Sequence, residues 1–233
     1  MKLAIISDIH SNLSALTTTL ADIERRDVDA VYCLGDIVGY GPDPGPCVDL
    51  VRARCKGVVR GNHDEAVALE RNVKWLPRDA RKAARHNRKA LTAEQIAWLA
   101  SLPLVMEDDD CCFAHASPGT PERWLRVDNM RVALDQFTAF ESDVCFIGHT
   151  HVPAILSDRL GLLRVREGNR FLVNVGSVGQ PRDGDPRGAY GLFDTESFAY
   201  ELVRVSYDVE ETRRRVTEEH LPRRLGRRLE VGI

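Results

Sequence analysis

Short apolar runs alternate with amphipathic stretches along the first two thirds of the chain. Apolar, often β-branched runs bounded by polar turns are typical of strands buried on both faces of a sheet. Such runs occupy positions 2–6, 30–34, 57–59, 104–106, 111–114 and 143–147. Apolar residues spaced by three and four predict helices over about 11–26, 46–54, 77–101 and 129–140. This alternation predicts an α/β fold whose first strands are parallel.

Two local signals refine these elements. Thr92 and Gln95 form a capping-box signature, which predicts that the 77–101 stretch divides into two helices near Leu91. The acidic turn 107–110 separates two of the strand-like runs, a pattern typical of a β-hairpin.

After residue 151 the helical pattern largely stops. Strands are predicted at 152–157, 162–166, 170–175, 190–194 and 198–205, and they suggest a second, more antiparallel sheet. A charged helix over about 208–219 and a basic tail with Arg223, Arg224, Arg227 and Arg228 follow. Since no stretch rich in Pro, Gly or Ser marks a linker, we expect one domain over 1–233 with two stacked sheets.

Polar residues with metal-binding capacity follow the predicted strands. Asp8 and His10 come directly after the first strand, and in an extended backbone residues two apart point to the same side. Taken alone, Asp8 could equally cap a helix and His10 could be an ordinary loop histidine. Further polar residues follow the later strands, namely Asp36, Asn62, His63, Asp64, His115, His149 and His151. Because parallel strands bring their carboxyl ends to one edge of a sheet, we expect these side chains to converge there.

Counting the donors favours two metal ions over one. Five of the seven histidines lie at predicted strand ends or directly after turns, whereas His86 and His220 lie in charged helical stretches. Seven donors exceed the needs of a single ion with open positions but suit two ions that share a carboxylate. Imidazole-rich ligation without thiolates favours Mn, Fe, Zn, Co or Ni over Mg or Ca.

Composition limits the partners and the compartment. Lys and Arg number 32 against 35 Asp and Glu, so a formal charge of −3 gives no global attraction to nucleic acid or anionic membranes. We find neither a signal-peptide pattern nor the roughly 18 apolar residues of a membrane span, so we predict a soluble, cytoplasmic protein that does not bind membranes. The six cysteines lack CxxC spacing and are interpreted as reduced, buried thiols.

The motifs resemble those of the calcineurin-like metallophosphoesterases, in particular the small bacterial and archaeal phosphodiesterase branch. In order, they are Asp8-x-His10, Gly35-Asp36-x-x-Gly39, Gly61-Asn62-His63-Asp64, His115 and Gly148-His149-x-His151. They extend over about two thirds of the chain, and the loop 174–187 is also similar to a segment of that branch. The resemblance implies a four-layer α/β/β/α sandwich of two mixed sheets flanked by helices.

The resemblance also implies roles for individual residues. One metal ion would be bound by Asp8, His10 and His151, the other by Asn62, His115 and His149, and Asp36 would bridge them. The implied reaction is attack of a metal-bridging hydroxide on a phosphodiester or nucleotide-type phosphate ester. His63 would protonate the leaving group, and Asp64 could orient the His63 ring.

Four further residues are weaker candidates. Asn12 could contact phosphate or cap a helix. Arg182 and Arg187 could clamp a phosphate or form surface ion pairs with Asp183 or Asp185. Tyr40 could stack on a nucleobase or pack the loop around it.

Two other functions compete with a phosphoesterase acting on a small phosphate ester or nucleotide. One is a non-catalytic metal-binding scaffold, which would be expected to have lost some of the ligands. The other is a nuclease on polymeric nucleic acid, suggested by the basic tail and by a stripe of basic residues, Arg78, Arg81, Lys82, Arg85, Arg88 and Lys89. A solvated helix face is the simpler interpretation of that stripe.

Overall fold

A computed structural model describes residues 1–159 and 164–233, which form ten strands and eight α-helices. The strands are β1 Lys2–Ile6, β2 Ala30–Cys33, β3 Gly57–Val58, β4 Val105–Asp108, β5 Cys111–Ala114, β6 Val144–Ile147, β7 Ala154–Ser157, β8 Phe171–Asn174, β9 Gly188–Asp194 and β10 Tyr200–Val205. The helices are α1 Leu13–Glu24, α2 Pro44–Arg54, α3 Asn62–Ala68, α4 Arg78–Ala90, α5 Ala93–Ser101, α6 Met130–Gln136, α7 Val209–Glu218 and α8 Arg223–Arg227.

The strands described form two mixed sheets of five strands each. The first sheet has the order β10-β9-β1-β2-β3, in which β1, β2 and β3 are parallel and β9 runs antiparallel to β1. The second has the order β4-β5-β6-β8-β7, with a parallel centre and antiparallel β4 and β7 at its edges. In each sheet, the parallel central strands therefore end at the same edge.

Side chains of successive strand residues point to opposite faces of each sheet, and this alternation produces the layers. Leu3 and Ile5 of β1 pack between the sheets with Phe113 and Phe146 of the second sheet. The intervening Ala4 and Ile6 point the other way, into a core shared with α1, α2 and α5. On the far side of the second sheet, Cys145 and Ile147 of β6 pack with Ala133 of α6. The predicted four-layer α/β/β/α sandwich is confirmed.

Helix boundaries follow local signals. The Asn12 side chain accepts a hydrogen bond from the Ala15 amide and caps α1. The predicted break between α4 and α5 is confirmed, since Thr92 and Gln95 form the reciprocal capping box at the start of α5. Helix α3 was not predicted; its seven residues begin within the motif at Asn62.

The prediction that the strands after residue 151 form their own sheet is wrong. β7 and β8 join the second sheet, but β9 and β10 return to the first and extend it beside β1. Of the strand expected at 162–166, residues 162 and 163 lie outside the described residues, and 164–166 are not in a strand. The basic tail forms α8 and a short 3₁₀ turn. Within the described parts of the chain, no helix is long and apolar enough to cross a membrane.

Candidate metal centre

Both sheets end at one cluster of polar side chains. Asp8 follows β1 in the first sheet, and His115 and His149 follow β5 and β6 in the second. Backbone hydrogen bonds hold the loops together, since the Asp8 amide donates to the Gly35 carbonyl at 3.1 Å and the Gly148 amide donates to the His115 carbonyl at 2.8 Å. A Cβ on Gly148 would collide with the side chains of Ser7 and Asp8, so glycine is required where the sheets meet.

Left-handed backbone turns, rather than extended backbone, aim the polar side chains inward. Asp8, His10, Asp36, His149 and His151 all have φ between 50° and 65°. Asp8 and His10 do converge, with His10 Nε2 3.6 Å from Asp8 Oδ1, but the extended-strand reason given for their convergence is wrong. Five non-glycine residues in this sparsely populated region indicate strain that is retained at a functional site.

Three of the histidines are oriented by backbone carbonyl oxygens. Nδ1 of His10 lies 3.1 Å from the carbonyl oxygen of Val38, Nδ1 of His115 lies 2.8 Å from that of Leu34, and Nδ1 of His151 lies 2.6 Å from that of Gln180. A carbonyl oxygen only accepts, so each Nδ1 carries the proton and the lone pair of each neutral ring is on Nε2. This arrangement is characteristic of metal-ligating histidines. These carbonyl groups were not predicted, because a backbone group has no residue-type signal.

The Nε2 atoms converge on unpartnered acceptors. His10 Nε2 lies 3.1 Å from His151 Nε2, and His151 Nε2 lies 3.2 Å from Asp8 Oδ1. Asp8 Oδ1 is buried and has no hydrogen-bond partner among residues 1–159 and 164–233. Lone pairs held this close repel one another unless a cation lies among them, so the donor set fits a metal ion.

Geometry groups the donors into overlapping clusters with ligand atoms within 4.8 Å of one another. Among the described residues these clusters are Asp8 with His10 and His151, Asp36 with His115 and His149, and Asp36 with His10 and His63. Asn62 adjoins the second cluster, with its Oδ1 3.2 Å from His115 Nε2. All seven predicted ligands are thus brought together, and Asp36 Oδ2 lies between His10 and His115, at 3.7 and 3.3 Å from their Nε2 atoms.

Opposing effects of burial and charge set the ionisation of the cluster. Burial raises the pKa of Asp8, but the charges of His151 and His115 outweigh it and hold that pKa well below its usual value. Burial raises the pKa of Asp36 too, but His115, His63 and His10 together outweigh burial and lower that pKa. Burial lowers the pKa of His115, but Asp36, Asp8 and the Leu34 carbonyl together outweigh burial and raise it to about 9. Burial lowers the pKa of His149 to about 3 and that of His151 to about 4. Two buried carboxylates therefore remain charged, beside neutral imidazoles at His149 and His151 and a protonated imidazole at His115.

His63 lies against this cluster with one free ring nitrogen. Its Nδ1 is buried and has no hydrogen-bond partner among the described residues, and burial lowers its pKa to about 3. Asp64 does not contact that ring: its carboxylate accepts hydrogen bonds from the amides of Val38 at 3.1 Å and Gly61 at 3.0 Å. Asp64 thus holds the loop and the start of α3, which corrects the orienting role predicted for it.

The weaker candidate residues make different contacts in the structure. Both polar atoms of the buried Asn12 side chain are engaged within the protein, including a hydrogen bond from Nδ2 to the Gly179 carbonyl oxygen at 2.9 Å, so Asn12 is a helix cap and not a phosphate contact. Arg187 forms a surface ion pair with Asp185, with Nη2 and Oδ2 2.6 Å apart, which corrects its predicted phosphate contact.

Arg182 and Tyr40 lie beside the cluster. The Arg182 guanidinium lies 5.7 Å from the centre of the Tyr40 ring, and its buried Nε has no hydrogen-bond partner within the described parts of the chain. The Tyr40 ring packs against His10 and His63, with centroids 4.7 and 4.5 Å apart. Tyr40 therefore packs the loop, while Arg182 keeps one donor that is unused by the described residues.

A family model agrees with this geometry. Residues 1–197 match the model of the calcineurin-like phosphoesterase superfamily domain. The chain is 39% identical over 241 residues to an uncharacterized protein of Methanocaldococcus jannaschii, covering 99% of this chain and 98% of the relative.

Solved structures agree as well. A metallophosphoesterase from Sphaerobacter thermophilus superimposes with a TM-score of 0.88 and 38% identity, covering 100% of this chain and 99% of that one. A hypothetical protein from Pyrococcus horikoshii shares the fold with a TM-score of 0.84 at 21% identity, covering 100% of this chain and 98% of that one.

Proposed function

The chain belongs to the calcineurin-like phosphoesterase superfamily, and from this premise we propose that it is a metal-dependent hydrolase of phosphodiester or nucleotide-type phosphate esters. The observation that carries the proposal is the convergence of three imidazole Nε2 atoms on two charged, buried carboxylates. Such a set needs a cation, and a site that retains positive charge suits an anionic phosphate.

We assign the donors to two ions of Mn, Fe, Zn, Co or Ni. Asp8, His10 and His151 would hold one ion, Asn62, His115 and His149 would hold the other, and Asp36 would bridge them. The clustering of the ligand atoms supports this division, because two of the clusters coincide with it. Bound there, two divalent ions would supply an acidified water and neutralise charge on the phosphoryl oxygens.

The chain's own side chains would handle the leaving group. His63 lies within 4.8 Å of ligand atoms of His10 and Asp36, and its ring can donate a proton to the leaving oxygen there. Burial keeps the ring neutral, so a phosphate must bring the negative charge that favours the protonated form. The unpartnered Nε of Arg182 would hold a phosphoryl oxygen in place.

Hydrolysis of bis(p-nitrophenyl) phosphate tests the proposal directly. Protein stripped with a chelator and then supplied with Mn²⁺ is compared with the stripped protein, and p-nitrophenyl phosphate serves as the matching monoester. We expect turnover only after metal addition, and faster turnover of the diester. Absence of turnover with all five metals on both esters would contradict a phosphoesterase and favour a metal-binding scaffold.

The same protein preparation tests the alternative that the chain is a nuclease on polymeric nucleic acid. If the basic stripe on α4 bound polymeric nucleic acid, binding of a single-stranded oligonucleotide would weaken steeply with salt. One member of the stripe is already engaged, because Arg88 pairs with Glu70 and donates to the carbonyl of Val67. We therefore propose a small phosphate ester or nucleotide as the substrate.

We also propose a cytoplasmic location. All six cysteines lie in the described residues and are free thiols, five of them buried. Burial raises the pKa of Cys33 and Cys47 well above the usual value, so these thiols are unreactive. Free thiols throughout are typical of a reducing compartment. Detection of the labelled protein in the cytoplasmic fraction of cells would test this location.

A further inference from the structure

A cavity of about 650 Å³ opens onto one side of the metal centre. Two proposed ligands, Asn62 and His149, line it together with Trp75, Trp124 and Leu125. Trp75 is 75% exposed and Leu125 is 40% exposed, so the cavity presents apolar surface to solvent. Exposed apolar surface beside catalytic groups is characteristic of a ligand site.

One buried carboxylate joins the two segments that carry Trp75 and Trp124. Glu65 is 5% exposed, and its Oε1 accepts hydrogen bonds from Asn72 Nδ2 at 2.9 Å and from Trp124 Nε1 at 3.4 Å. Asn72 begins the short 3₁₀ turn that carries Trp75, and Trp124 follows another such turn. Asn72 and Trp124 both have left-handed backbone, with φ of 58° and 53°. Glu65 therefore fixes the Trp124 indole directly and the start of the turn that carries Trp75.

Two of the residues that line the cavity restrict which chemical group can bind there. Because Asn62 and His149 belong to the metal centre, a group in this cavity must be attached to the phosphate that the centre holds. Indole faces select a flat, aromatic group, since stacking is favourable for any π-system. Glu122, Arg123 and Asn72 also line the cavity and can bond to polar ring edges. The volume suits one nucleotide rather than a longer strand.

We propose that this cavity binds the heteroaromatic base of a nucleotide-type phosphate ester against Trp75 and Trp124. The assignment rests on the proposed phosphoesterase function and adds the group that the enzyme recognises. Glu65 acts as a positioning residue for the segments that carry Trp75 and Trp124, and the base makes the substrate specific without taking part in the reaction.

Two diesters with the same leaving group test the assignment in the Mn²⁺-loaded protein. Thymidine 5′-(p-nitrophenyl phosphate) carries a base, and methyl p-nitrophenyl phosphate does not. We expect kcat/KM to favour the nucleoside ester, and Trp75→Ala and Trp124→Ala each to reduce that ratio by about tenfold. The control is Leu134→Ala, an exposed apolar residue on α6 that should leave the ratio unchanged. Equal kcat/KM for the two diesters in the unaltered protein would overturn the proposal.

A binding measurement that needs no turnover tests the base site independently of the proposed phosphoesterase function. Adenosine monophosphate should quench the tryptophan fluorescence of the Mn²⁺-loaded protein, whereas ribose 5-phosphate should not. Trp98 packs against the helical core and supplies a constant background. Quenching that disappears in Trp75→Ala supports the base site even if neither diester is hydrolysed. Equal quenching by both compounds, or tighter binding of a single-stranded oligonucleotide than of the mononucleotide, would overturn it.

Discussion

At the scale of single residues, Asp36 joins the two halves of the candidate centre. Its carboxylate contacts a histidine of each proposed metal group, and Oδ1 also accepts a hydrogen bond from the His63 amide at 2.7 Å. The same side chain therefore links the two groups of candidate ligands and the start of α3.

We expect Asp36→Asn to lose both metal ions and to abolish turnover, because the amide keeps the shape but removes the bridging charge. Metal content per chain and hydrolysis of bis(p-nitrophenyl) phosphate are the measurements. Asp110→Asn, a change in an exposed turn, is the matched control. Full metal content with activity near that of the control would disprove the bridging role.

His63→Ala should slow esters with poor leaving groups far more than nitrophenyl esters, since only poor leaving groups need a proton. The expected difference is about 10²-fold or more, the usual contribution of a general acid. Initial rates on an alkyl and a nitrophenyl ester of the same phosphate give the comparison, with His220→Ala, an exposed histidine, as control. Equal losses on both esters would rule out the general-acid role.

At the scale of elements, a carboxylate on α1 joins that helix to β9. Asp22 Oδ2 accepts hydrogen bonds from the Tyr190 hydroxyl and from Arg26 Nε, both at 2.7 Å. Burial raises the pKa of Asp22, but these hydrogen bonds outweigh burial and lower it. A lowered pKa in the folded state means that Asp22 stabilises the protein above its unfolded pKa of about 4, and that this stabilisation is lost as the pH falls through the folded value.

Asp22→Asn should therefore lower the free energy of unfolding by about 1–3 kcal/mol at neutral pH, because hydrogen bonds to a charged acceptor weaken. The difference from the unaltered protein should narrow as the pH is lowered below about 4. Denaturant unfolding at several pH values measures it. The control is Asp135→Asn, whose carboxylate makes no ion pair with any described residue. A difference that does not depend on pH would contradict this account.

At the scale of the whole molecule, the candidate metal ligands come from both sheets. Asp8, Asp36 and Asn62 follow strands of the first sheet, while His115 and His149 follow strands of the second. Binding of an ion should therefore stabilise the entire sandwich rather than one loop. The prediction of a single domain over 1–233 stays a prediction.

Adding Mn²⁺ to stripped protein should raise the midpoint of thermal unfolding by roughly 5–10 °C at a hundredfold excess over the dissociation constant. The midpoint rises because the ion binds only the folded state, where it neutralises the charge of the buried carboxylates. Differential scanning calorimetry with and without chelator measures it, and Asp36→Asn should show a smaller shift. An unchanged midpoint in the unaltered protein would argue against a site shared between the sheets.

The sequence by itself determined the strand ends and the seven candidate ligands, because buried strands, capping residues and metal-binding side chains have local patterns, and the resemblance of its motifs to a known family implied the sandwich. Only the tertiary structure decided which sheet β9 and β10 join, since strand pairing depends on residues far apart in sequence. It also decided that left-handed turns aim Asp8 and His10, and that carbonyl groups of Leu34 and Gln180 orient the histidines. A backbone carbonyl is the same for every residue type, so its role becomes visible only when the chain has folded around it.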